Sequence, residues 1–124
     1  MIYDYVIVGS RKFSTEANKI GQKIKEKGFQ VKLISEPAPR IEVNGVDVLR
    51  KVKTKYQKQH FEAIRFCKRG VILCNFHGYV GLNTKAEMIF AHAYGIPIFS
   101  IENVKSDEEE LEIMNIQRFN LTAL

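Results

Sequence analysis

The chain has 124 residues, a net charge of +5 and 45% hydrophobic residues, which suits one domain with its own core. No apolar run approaches about 18 residues, so no membrane-spanning helix is expected, and residues 2–8 are too short and too uncharged at their start for a signal peptide. Cys67 and Cys74 have neither a C-x-x-C nor a Cys/His metal spacing, so they are expected as reduced core thiols in a cytoplasmic protein with no metal and no cofactor.

Taken in chain order, residues 3–8 read as a strand that ends at Gly9-Ser10. Ser14-Thr15-Glu16 opens a helix running to Lys27, with Ala17, Ile20 and Ile24 at helical spacing and Gly28 as its stop. Residues 29–34 form a second strand. Residues 35–45 are expected as an irregular loop, because Pro37 and Pro39 remove donors and fix φ. Residues 46–67 read as a long helix with Leu49, Val52, Tyr56, His60, Ile64 and Cys67 on one stripe. A third strand at 71–74, a helix at 86–94, a fourth strand at 97–101, a last helix at 106–115 and a short fifth strand at 118–121 complete the chain.

Strands alternating with helices imply parallel pairing and right-handed crossovers. Runs such as Val6-Ile7-Val8 and Val71-Ile72-Leu73-Cys74 are apolar throughout, as befits strands covered on both faces. The expected architecture is α/β, a three-layer doubly wound sandwich of the Rossmann or flavodoxin type. Its mainly parallel sheet has four to five strands in the order 2-1-3-4-5, with the switch point between strands one and three. The loop after strand one and residues 75–84 then face each other across one crevice.

The basic charge concentrates at residues 47–69, with eight Lys or Arg against two acids; residues 107–112 carry five acids and no base. A basic helix attracts phosphate or nucleic acid. Aromatics are not interleaved here as stacking platforms, so a solvated helix face is the expectation and nucleic acid is not the expected partner. The stripe with Tyr56 and His60 suits half-buried contacts, and a homodimer or higher homo-oligomer is expected through this helix.

The crevice residues carry the chemistry. Gly9-Ser10-Arg11 is either an ordinary strand-to-helix turn or, through its amides and the following helix N-terminus, an anion site. It lacks the spacing of a dinucleotide fingerprint and of a P-loop. Asn75, Gly78, Tyr79, Gly81, Asn83 and Thr84 supply an amide, flexible backbone, an aromatic ring and a hydroxyl ahead of Glu87. Thr84-Lys85-Ala86-Glu87 matches the T-x-x-E capping box, so capping and catalysis both remain open for Glu87. Placed in a first helical turn, its carboxylate is expected to stay ionised, as a nucleophile at a sugar carbon must be. His77 is a loop histidine that could donate a proton, and His92 and His60 are expected to be structural.

Asn75, Gly78-Tyr79-Val80-Gly81, Asn83-Thr84, Glu87, Ala91 and Gly95-Ile96-Pro97 together resemble the signature of the nucleoside 2-deoxyribosyltransferase-like family, which includes the 2'-deoxynucleoside 5'-phosphate N-hydrolases. Gly9-Ser10-Arg11 resembles the hydrolase pattern. The resemblance implies a nucleoside or nucleotide ligand and Glu87 as the nucleophile at C1'. It also implies a retaining path through a covalent sugar–enzyme intermediate, with the amides and Asn83 or Thr84 positioning the sugar or a 5'-phosphate. One position departs. The family places an aspartate at the start of the third strand, where this chain has Gly70 after Lys68-Arg69. His77 and Glu36 are the candidates to substitute for it. Asn120 is a loose match to a residue that neighbouring subunits contribute in the family. A non-catalytic nucleotide-binding module on the same scaffold is the alternative reading, and a nucleic-acid-binding protein, favoured by charge alone, is a third.

Overall fold

A computed structural model describes residues 1–34, 42–43, 46–104, 111 and 113–124. Its central sheet is parallel throughout and holds β1 (Tyr5–Gly9), β2 (Val31–Lys32), β5 (Gly70–Cys74), β6 (Ile98–Ser100) and β7 (Gln117–Arg118). The strand order is β2-β1-β5-β6-β7, which is the expected 2-1-3-4-5. Tyr5 pairs with Gly70 and Gly9 with Cys74, so β1 and β5 run side by side along their full lengths.

Alternation along these strands sorts the core into two halves. Val6, Val8, Val71, Leu73 and Ile98 face one side with Ile64 of α2 (Val48–Phe66) and with Met88 and Ala91 of α3 (Leu82–Ala93). Tyr5, Ile7, Ile72 and Cys74 face the other with Ala17 and Ile24 of α1 (Ser14–Glu26). Helices therefore cover both faces. Val6, Ile7, Ile72 and Leu73 are fully buried, each large side chain contributing about 1.5–3 kcal/mol of transfer free energy. Gly28, at φ 97, ends α1 in the left-handed conformation that an L side chain resists.

Several boundaries differ from the sequence expectation. The second strand shrinks from 29–34 to Val31–Lys32, because only Tyr5 and Val6 offer it partners. The stretch expected as an irregular loop contains β3 (Glu42–Val43), which pairs antiparallel with β4 (Val46–Asp47) where the long helix is expected to begin, so that helix starts at Val48 rather than Val46. Asn44-Gly45 between them in the sequence is the strongest short hairpin signal. The helix expected at 86–94 begins four residues earlier, at Leu82. The fifth strand is Gln117–Arg118, and Leu121 belongs to a 3-10 turn that Asn120 caps with its own side chain. Most of the helix expected at 106–115, Glu36 and the Tyr56 side chain lie outside the described residues.

Candidate functional site

The carboxyl ends of β1 and β5 lie at the point where the chain turns outwards in opposite directions, towards β2 and towards β6, the place where doubly wound sheets bind ligands. A cavity of about 600 Å³ opens there. Its walls come from the turn after β1, from α2 and from the start of α3. Phe13 bridges the two loops at its rim, with its ring 5.8 Å from Phe76 and 6.4 Å from Tyr79.

On the β1 side, Gly9, Ser10 and Arg11 line the cavity. Gly9 is needed for close approach, since a Cβ there would lie 3.1 Å from the Cys74 carbonyl oxygen. Two amides of the turn are occupied: Lys12 N–H donates to Ser10 Oγ at 3.2 Å and Phe13 N–H to the Ser10 carbonyl at 3.0 Å. Any anion here is left chiefly to the Arg11 guanidinium.

On the β5 side, the expected residues part company. Tyr79, Gly81, Asn83, Thr84 and Glu87 line the cavity, and Asn75 and Gly78 stand outside it. The Asn75 amide is wholly engaged with Glu102: Nδ2 donates to its carbonyl at 3.1 Å, and Oδ1 accepts its N–H at 3.0 Å. Gly78, at φ 73, follows His77 at φ 57 in a left-handed turn, and the His77 N–H donates to Glu102 Oε2 at 2.8 Å. His77 is exposed and is not among the residues that line the cavity.

Glu87 departs from both of its local expectations. The cap of α3 is Gly81, in extended conformation with no side-chain cap bond. Thr84 is therefore the third helical residue, and Glu87 the sixth, in the second turn. No Thr84–Glu87 capping box forms, because Thr84 is already inside the helix. The carboxyl is not held ionised by the helix end either. Burial pushes it up to about 7, against the opposing pull of Arg11.

The residue that reading by sequence assigned elsewhere is His60. It lines the cavity, and its Nε2 lies 3.6 Å from Glu87 Oε2, with side chains only 12% and 15% exposed. Burial, with Lys32 and Arg11 nearby, pushes the imidazole down to about 4. Near neutral pH the ring is uncharged, so the contact is not an ion pair. Its stripe position on α2 matches that of Ile64, a core residue, yet His60, one turn earlier, borders the cavity.

Position 70, where the resemblance places an acid, starts β5 at the amino end of the sheet. It lies four residues, about 13 Å, from the carboxyl end that borders the cavity. A Cβ there would fall 2.6 Å from the Pro97 carbonyl oxygen and 2.9 Å from the Phe99 ring, at φ 150. An aspartate neither fits this position nor reaches the cavity from it.

Cys74 lies under the site, buried, with its thiol pushed up to about 12 and so protonated. Among the described residues, no group of three His, Cys, Asp or Glu could hold a metal ion, and no helix is long and apolar enough to cross a membrane. A second, shallower cleft of about 450 Å³ lies between α2 and α3, with Phe61, Phe66, Phe90 and Tyr94 in its walls. Compared with protein-family models, curated proteins and solved structures, the chain matches none.

Proposed function

We propose that the chain cleaves the N-glycosidic bond of a deoxynucleoside or its 5'-monophosphate, or transfers the deoxyribosyl group, with Glu87 as the nucleophile. The observation that carries this reading is the Glu87 carboxyl in the cavity wall with no backbone amide to cap. Burial raises the carboxyl to about 7, so near neutral pH a substantial fraction is ionised, poorly solvated and basic, which favours attack at carbon. The carboxylate stabilises the oxocarbenium-like charge at C1' and then forms the C1'–O bond as the C1'–N bond breaks. The base leaves with a proton from water, and a water molecule or a second base resolves the sugar ester. Arg11 and Ser10 are the groups suited to a 5'-phosphate, because a guanidinium offers paired donors to phosphate oxygens. The residue pattern around Glu87, with its resemblance to the nucleoside 2-deoxyribosyltransferase-like family, supplies the substrate class.

A cytoplasmic homo-oligomer belongs to the same reading. The exposed aromatic side of α2 and α3, where Phe66 and Tyr94 are more than half exposed, supports self-association. A monomer mass by light scattering at micromolar protein would remove that part.

One observation favours a second reading, a nucleotide-binding module without catalysis. Among the described residues, Glu87 is the single carboxylate that lines the cavity. The decisive experiment incubates the protein with a panel of deoxynucleosides and their 5'-monophosphates and measures free base by chromatography. The wild type is expected to release base. Glu87→Gln, which keeps the shape and loses the charge, is expected to bind the same ligand and release base at least about 10³-fold more slowly. Ligand binding without base release would leave the binding module, and equal rates in both proteins would end the nucleophile assignment.

A further inference from the structure

Nε2 of His60 is a buried polar atom with no hydrogen-bond partner in the structure. Such atoms are uncommon, since leaving a buried acceptor or donor unmatched costs about 1–3 kcal/mol. The ring also lies close enough to the Ile7 backbone carbonyl for that group to favour a hydrogen on the imidazole. With Nε2 unmatched, we assign the hydrogen of the neutral ring to Nδ1. A neutral imidazole whose Nδ1 carries the hydrogen has a bare lone pair on Nε2. That lone pair lies 3.6 Å from the carboxyl oxygen of Glu87, slightly beyond a hydrogen bond and within a small side-chain adjustment of one.

We propose that His60 is the positioning partner of Glu87, its Nε2 lone pair accepting the hydrogen of the protonated carboxyl, holding the carboxyl's rotamer in the resting site and releasing it as a free carboxylate when that hydrogen leaves. This deepens the assignment of Glu87 as nucleophile and rests on it for its catalytic meaning. The hydrogen comes off Glu87 and passes to solvent. His60 stays neutral as that hydrogen leaves, because burial, then Lys32 from β2 and Arg11 from the turn after β1, oppose a charge on it. Arg11 also faces Glu87 and favours the carboxylate. Between about pH 4 and pH 7 the carboxyl of the empty site therefore keeps its hydrogen, and the imidazole keeps only the one on Nδ1. A His60 that merely filled space would leave Glu87's ionisation to burial and to Arg11 alone.

The test reads the pair without substrate. The variant His77→Asn, His92→Gln alters two exposed histidines outside the cavity and leaves His60 as the one imidazole. Its nitrogen-15 spectrum is followed between about pH 5 and 9. The expected result is a hydrogen-bearing Nδ1 at every pH, and an Nε2 that is a hydrogen-bonded acceptor at low pH and a free lone pair at high pH, with a midpoint near 7. The same step is expected to vanish when Glu87→Gln is added. A hydrogen on Nε2 throughout, or an Nε2 signal that does not move, would overturn the proposal. In the wild-type background, His60→Gln places an amide N–H beside the carboxylate and favours its ionised form. The midpoint of the base-release pH profile should then move about one pH unit towards acid, whereas an unchanged midpoint would count against the pair. The two readings fail separately. A step at Nε2 with no base released from any nucleoside would keep the pair and remove the glycosidase, and base release with no step would do the reverse.

Discussion

The loop that leaves β5 is one continuous stretch in the sequence and two different regions in the structure. Its first half, Asn75 to Gly78, is fastened to Glu102 by three hydrogen bonds of 2.8–3.1 Å. Its second half, from Tyr79 into α3, opens on the cavity. Both halves hold the residue types expected of a binding site. What separates them is whether the polar atoms still have unused bonding capacity. The Asn75 amide uses its oxygen and its nitrogen on the Glu102 backbone and lies 1% exposed. His60 Nε2 has no partner, and the Glu87 carboxyl nearest to it holds no cap. Buried groups without matches are the ones a ligand can match.

The largest effect expected from this contrast is on stability, in the fastened half. Asn75→Ala removes two hydrogen bonds and strands a backbone N–H and a carbonyl of Glu102. It should cost about 3 kcal/mol in a denaturant titration, with ligand affinity of the folded fraction unchanged. A loss of affinity at full stability would put Asn75 back into the site.

A smaller effect, of opposite sign, is expected in the open half. Glu87 has its carboxyl raised in the folded state to about 7. The native protein then holds a proton that the unfolded chain releases at lower pH. The stability this contributes is fully present below the ordinary carboxylate range and is lost as pH rises through about 7. Glu87→Gln does not titrate. The variant should match the wild type in melting temperature near pH 5 and exceed it near pH 8, by on the order of 2 kcal/mol. A wild type that gained stability over that interval would show that the carboxylate is well solvated or paired. His60 works the other way, since its neutral form is the folded one and its share is lost as pH falls through about 4.

The smallest expected effect concerns the cavity's anion side. Arg11→Ala should weaken a nucleoside 5'-monophosphate by at least about tenfold, roughly 1.4 kcal/mol, and the matching nucleoside by much less. Paired calorimetric titrations would show this, and equal losses would make the turn after β1 purely structural.

The fold was legible because its signals are redundant. Alternating elements, apolar strands and Gly28 all agree on one architecture, and small boundary errors do not alter it. The site was legible only in part. The position of Glu87 was misjudged because Thr84-Lys85-Ala86-Glu87 offers a complete capping box, whereas the true cap, Gly81, has no side chain with which to announce itself. His60 was missed for another reason. Helical periodicity says which face a residue shares, but not that the cavity opens beside His60 while the core encloses Ile64. Asn75 was misassigned because its partner is a backbone 27 residues away, and a single sequence carries no trace of that pairing.

The neutral pair of Glu87 and His60 changes how the cavity looks to an approaching molecule. Between about pH 4 and pH 7 neither group carries its charge. Among the described residues, the ionised group lining the walls is then Arg11, with Lys32 close enough to act on His60. A cleft with low-dielectric walls and an uncompensated cation focuses its field outwards and concentrates anions at its mouth. The resting site therefore draws in a negatively charged ligand first and exposes its own negative charge afterwards, and its capture rate should fall as salt rises or as Glu87 ionises.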